Sequence, residues 1–155
     1  MEAHRAAEVQ VVLGKSSAKH SPIVRAIALV ESVTTGEIRV HISKHWIEKD
    51  PHRRARRLFH IFGMEKTTHR NAVLLYINLR RKKFAIVGDE GIHQKVGQKY
   101  WEELAQALAQ DLRGTHSENA IALAVRTIGF TLQHYFPLAK GKPHPNELPN
   151  EVTED

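Results

Sequence analysis

The chain predicts an α/β fold, a three-layer α/β/α sandwich with helices on both faces of a small mixed, mostly parallel sheet. Three observations predict it. Helical and strand periods follow one another in the order helix, strand, helix, strand, strand, helix, helix. The run from Asn71 to Ile77 is almost continuously apolar, as an interior strand covered on both faces requires. The polar stretch Asn78 to Lys83 separates it from Phe84 to Val87 by a hairpin-sized connection, which adds an antiparallel hairpin to the sheet.

Residues 1–20 carry no sustained period and read as a flexible lead-in, with the domain proper over 21–137. Ser21 and Pro22 supply a cap and a first-turn proline, and Ile23, Ala26, Ile27, Val30 and Val33 form the stripe of a first helix. Ile38, Val40 and Ile42 then alternate with Arg39, His41 and Ser43, the period of a half-buried strand. Asp50 and Pro51 open a second helix whose inward positions are Ala55, Leu58, Phe59 and Phe62, and Gly63 stops it. After the hairpin, Val96, Tyr100, Leu104 and Leu108 mark a third helix, widened by Trp101 as a core residue. A fourth follows Ser117 with Ile121, Val125, Ile128, Leu132 and Tyr135 inward until Pro137. Residues 138–155 read as an extended tail.

A chain of 155 residues fits one domain burying about two-thirds of its unfolded surface, so neither disulfide nor structural metal is needed for stability. With no cysteine there is no thiol nucleophile and no Cys-ligated zinc. The charged N-terminus lacks the apolar run of a signal peptide, and nothing approaches the roughly 20 apolar residues of a membrane span. The expectation is a cytoplasmic protein. Formal charge is +6, and because the tail after Pro137 has two lysines against four acids, the remaining body carries +8. That body attracts polyanions without specifying one.

Strands over 37–43 and 71–77, joined through a helix, are expected to be parallel, and the strand over 84–88 antiparallel to the second. Their ends then bring Glu37, Arg70, Asn71, Asp89 and Glu90 to one sheet edge. Glu37, Asn71, Asp89 and Glu90 offer hard oxygen donors suited to a divalent cation, calcium more readily than magnesium because it tolerates irregular geometry. The same residues have a plainer reading: Asp89 caps the helix starting near Gly91, and Glu37 pairs with Arg39 or Arg70. Phosphate is a further possibility, with helix amides and Arg39 or Arg70 as donors. No catalytic residue can be assigned, because no serine stands in a nucleophile elbow and the eleven histidines are scattered without metal-ligand spacing. Arg53, Arg54, Arg56 and Arg57 lie on the outer side of the second helix, and Arg80, Arg81, Lys82 and Lys83 form a second basic cluster. Either a solvated face or a polyanion site accounts for them, the absence of interleaved aromatics favouring the former.

The motifs Thr35-Gly-Glu-Ile-Arg-Val40, Arg70-Asn71, Val73-Leu-Leu-Tyr76, Phe84-Ala-Ile-Val-Gly-Asp89 and Gly91-Ile92, followed by Trp101 and Ile128-Gly129, together resemble the TPM domain family. The resemblance is to its small single-domain bacterial branch; relatives include a thylakoid-lumen acid-phosphatase-like protein and a photosystem II repair factor. It implies an α/β sandwich and a divalent-metal site, usually calcium, with Glu37 and Asp89 in the matching motifs. Weak phosphatase activity goes with some members, but no nucleophile can be carried over. Ala72, where many relatives have Gly, and the basic helix depart from the pattern. The expected function is therefore cation binding with a protein-interaction role in assembly, repair or stress response. The alternatives are a weak metal-assisted phosphatase and polyanion binding through the basic helix.

Overall fold

The computed structural model describes residues 10–11, 21–114, 116–146 and 152–155. In chain order the elements are β1 (Gln10–Val11), α1 (Ser21–Glu31), β2 (Glu37–Ser43), α2 (Pro51–Ile61), β3 (Ala72–Asn78), β4 (Lys83–Gly88), α3 (Glu90–Asp111), α4 (Ser117–Tyr135) and β5 (Val152–Glu154). Among the described residues the sheet has five strands, in the order β1-β5-β2-β3-β4. As expected, β2 and β3 are parallel with Glu37 opposite Ala72, and β4 returns antiparallel to β3 with Gly88 opposite Val73.

The two-residue period sorts side chains between two cores. Ile38, Val40, Ile42, Val73, Leu75 and Ile77 face α1, α3 and α4 in the larger core. Ala72, Leu74, Tyr76 and Ala85 face Ala55, Leu58 and Phe59 of α2 on the other side. Local chemistry sets the boundaries of α2: Asp50 accepts the amide of Arg53 at 3.1 Å, Pro51 fills the first turn, and Gly63 leaves the helix at φ 65°. Helix α3 is broken at Gly97, where φ 77° and ψ 171° are not helical.

The structure changes three expectations about the elements. The reading of β2 as half-buried is corrected, because all seven of its residues are buried. It lies between β5 and β3 with α2 over its polar face, so Arg39, His41 and Ser43 are covered rather than solvated. The tail is also more than an extension. Val152–Glu154 pairs parallel with β2 and antiparallel with β1, so it becomes an interior strand. Finally, Tyr135 is 39% exposed instead of inward, because it lies at the end of α4 past the buried Leu132. Apart from Gln10–Val11, the expected lead-in over 1–20 lies outside the described residues.

Candidate functional site

Asp89 ends the hairpin and starts α3. Its backbone N–H donates to the Ala72 carbonyl at 2.9 Å, and its Oδ1 accepts the Glu90 amide at 2.8 Å as the helix cap. Arg70 grips the same carboxylate with both arms, Nε to Oδ2 at 2.7 Å and a terminal nitrogen to Oδ1 at 2.8 Å. This fork-on-carboxylate geometry is the strong form of the ion pair, although the Arg70 side chain is 45% exposed and water screens it. Glu90 stands outside, 3.9 Å from the guanidinium and exposed. The capping role that the sequence allowed for Asp89 is thus realised, together with a partner for Arg70.

The backbone makes this possible. Arg70 has φ 50°, a left-handed conformation unusual for a residue with a Cβ, and it turns its carbonyl onto the start of α3. There the carbonyl accepts the Gly91 amide at 2.7 Å and the Ile92 amide at 3.3 Å. Only glycine fits at 91, because a Cβ would stand 2.0 Å from the His69 carbonyl oxygen. The first amides of α3 are therefore engaged by Asp89 and Arg70, which leaves them little to offer a phosphate.

Glu37 begins β2 on the same sheet face as Asp89, the two standing one strand either side of the small, fully buried Ala72. Glu37 is 2% exposed, and its Oε1 lies 3.9 Å from His144 Nδ1. His144 Nε2 lies 2.9 Å from the Gly36 carbonyl oxygen, and its Nδ1 lies 3.0 Å from the Asn146 amide nitrogen and 3.1 Å from Asn146 Oδ1. No sequence signal marks His144, because it approaches Gly36 only after the chain has returned past α4. Asn71, which immediately precedes Ala72 of β3, is fully buried. Its amide nitrogen donates to Thr35 Oγ1 at 3.3 Å, while its Oδ1 has no hydrogen-bond partner among the described residues. A cleft of about 290 Å³ lies alongside, lined by Thr35, His69 and the segment from Pro137 to Pro145.

Among the described residues, no three His, Asp or Glu side chains gather closely enough to hold a metal ion. The oxygen donors at this end of the sheet, the Glu37 and Asp89 carboxylates and the Asn71 amide oxygen, are individually of the hard kind that calcium and magnesium prefer. The other named residues are dispersed. Arg39 is buried with its guanidinium 4.4 Å from the centroid of the Phe62 ring. Arg54 leaves the expected outer quartet of α2 and turns inward to pair with Asp155, while Arg53, Arg56 and Arg57 remain exposed.

At the opposite end of the sheet lies a polar cluster the sequence reading did not assemble. His41 Nε2 is 3.1 Å from Asp155 Oδ2, and its Nδ1 is 2.8 Å from Thr153 Oγ1. The His41 ring stacks on Tyr76, whose hydroxyl bonds Glu48. The alternation of His41 with apolar residues pointed to a solvated position, and its burial follows only from the packing of β5 and α2 around β2.

Among the described residues, five strands in one mixed sheet with helices on both faces define a small α/β sandwich. The TPM domain family matches residues 16–129, and the chain belongs to that family. Among solved structures, the NMR structure of BA42 protein from the psychrophilic bacterium Bizionia argentinensis is similar at 31% identity and TM-score 0.80, over 94% of this chain and 99% of that one. No curated protein matches. No helix among the described residues is long and apolar enough to cross a membrane.

Proposed function

We propose that this TPM-domain protein binds a divalent cation, calcium first and magnesium as the alternative, at the edge formed by Glu37, Asn71, Asp89 and Glu90, and acts by presenting that edge to a protein partner. The observation that carries the reading is Asn71 Oδ1. A buried amide oxygen with no donor costs about 1–3 kcal/mol, and a cation would satisfy it. Asp89 supports the same reading, because its carboxylate is already held against a positive group. Arg70 supplies that charge now and, being half-exposed on a flexible stem, can yield it to a cation. Phosphate-ester hydrolysis has less support, since the amides that would hold the ester are engaged by Arg70 and Asp89.

The test is a calcium titration of chelator-treated protein followed by melting temperature, since a ligand of the native state alone raises it. Calcium is expected to raise the melting temperature at millimolar concentration. Asp89→Ala and Asn71→Ala are expected to remove most of the rise, and Arg70→Ala to tighten calcium binding while lowering the stability of the metal-free protein. No rise at millimolar calcium would sink the reading.

A further inference from the structure

We propose that the loop from Lys44 to Lys49 and the β3–β4 hairpin form a docking tip for an anionic lipid surface, with Trp46 and Ile47 entering the headgroup layer and the surrounding cations meeting the lipid phosphates. The tip stands at the opposite end of β2 from the cation edge and does not depend on it.

Trp46 and Ile47 are adjacent, and 71% and 75% exposed. They are held out rather than left out. On one side the His45 carbonyl accepts Asn78 Nδ2 at 3.0 Å. On the other, Glu48 is buried, its carboxylate taking the Tyr76 hydroxyl and Asn78 Nδ2 while its carbonyl accepts Lys83 Nζ at 2.8 Å. With both flanks anchored to β3 and β4, the two apolar side chains cannot fold back into the core.

The exposed charge around them is mainly basic, since Asp155, 3.4 Å from His45, is itself buried and paired with Arg54. Arg80 lies 3.9 Å from the centroid of the Trp46 ring, which ties the hairpin to the loop, and Arg81 and Lys82 are exposed beside it. Because α2 starts just after the loop, its arginines continue the basic surface, and Lys49, Arg53 and Arg57 border one hollow of about 490 Å³. The acids of the loop are Glu48, which is buried, and Asp50, whose carboxylate caps α2. Part of each basic cluster therefore borders the apolar tip, Arg80, Arg81 and Lys82 from the hairpin and Arg53 and Arg57 through the hollow shared with Lys49. A single-stranded nucleic acid needs an open aromatic face for its bases, but Arg80 covers one face of Trp46 and Ile47 has none. An aliphatic and an indole side chain inside a cationic collar match a headgroup boundary, where ring and stem sit in the apolar layer and charge meets phosphate.

The experiment is sedimentation of the full chain with vesicles of phosphatidylglycerol and phosphatidylcholine in equal parts, against vesicles of phosphatidylcholine alone, with chelator present throughout. Binding to the mixed vesicles alone is expected, with a blue shift of tryptophan emission. The shift reports Trp46, since the other tryptophan, Trp101, is 8% exposed. Trp46→Ala with Ile47→Ala is expected to weaken binding by roughly tenfold or more, as loss of a large buried apolar group does. Arg53→Glu with Arg81→Glu is expected to weaken it by at least about fivefold per charge. All four side chains are on the surface, so the circular-dichroism melts of these variants should match the parent protein. Absence of binding to the mixed vesicles would overturn the proposal, as would equal binding to neutral vesicles or unchanged binding by the Trp46/Ile47 variant. Quenching of Trp46 by oligothymidylate without vesicle binding would overturn it in favour of nucleic acid.

Discussion

Burial keeps His41 neutral, because desolvation lowers its pKa below the usual 6.5 against the opposing pull of Asp155. For Asp155 burial alone would raise the pKa from its ordinary 3.8, but the contacts with His41 and Arg54 outweigh it and hold the carboxyl well below that range. Both pKa values are thus depressed in the folded state, so the unfolded chain binds more protons than the native one in both windows. Stability is complete above about 6.5, falls as acid protonates the unfolded His41, and falls again through the range below 3.8 where Asp155 matters. Urea midpoints measured from about pH 8 down to about pH 5 should decline, and His41→Gln, which keeps a polar side chain without titrating, should flatten the decline. A midpoint independent of pH over that interval in the parent protein would show that His41 ionises as easily folded as unfolded.

At the scale of the element, β5 has the largest effect for its length. Its Val152 is fully buried, and the chain beyond it is held by the Asp155 amide on the Ile42 carbonyl at 3.1 Å and the Lys44 amide on the Asp155 carbonyl at 3.2 Å. Asp155 also carries the ion pair to Arg54. Removing residues 152–155 would open the edge of β2, expose its main-chain groups, and leave Arg54 and His41 facing a vacated position. Breaking a buried ion pair from one side costs about 3–5 kcal/mol, so the truncated chain is expected to melt far lower and to aggregate through the opened edge. A truncated protein with an unchanged melting temperature would mean that β5 is only laid against the sheet. The edge strand β1 would lose its partner in the same step.

On the scale of the whole molecule, the parallel pair β2 and β3 separates two surfaces. The oxygen-rich edge lies where these strands begin and the Trp46 tip where they end, about 20 Å apart for seven residues of strand. That exceeds the roughly 8 Å screening length at physiological salt, and the two surfaces share no side chain. Arg53→Glu with Arg81→Glu should therefore leave the calcium-dependent stabilisation unchanged within about 0.5 kcal/mol, read from melting curves with and without calcium. A large change would reveal coupling through the sheet.

Much of this architecture was legible because it rests on local patterns. The apolar run Asn71 to Ile77 required an interior strand, and the interval to Phe84 is short enough to force a hairpin. Asp50, Pro51 and Gly63 bounded α2 by their own backbone chemistry. With strand directions fixed in this way, the placement of Glu37 and Asp89 at one end of the sheet, either side of Ala72, followed from connectivity. Side-chain pairing was less accessible. Arg54 shares its spacing with Arg53 and Arg57, yet it alone turns inward, because Asp155 arrives beside it from the far end of the chain. Likewise β5 is too short to display a period, and it becomes a strand only because β2 presents an unpaired edge. The sequence by itself determined the four helices from Ser21 onward, the strands β2, β3 and β4 and the directions of those strands, since periodicity, turn chemistry and crossover handedness act within short stretches of chain. Only the tertiary structure decided that Arg70 holds Asp89, that His144 stands by Glu37 and that Trp46 and Ile47 are fixed outward, because each depends on partners brought together by packing from distant parts of the chain.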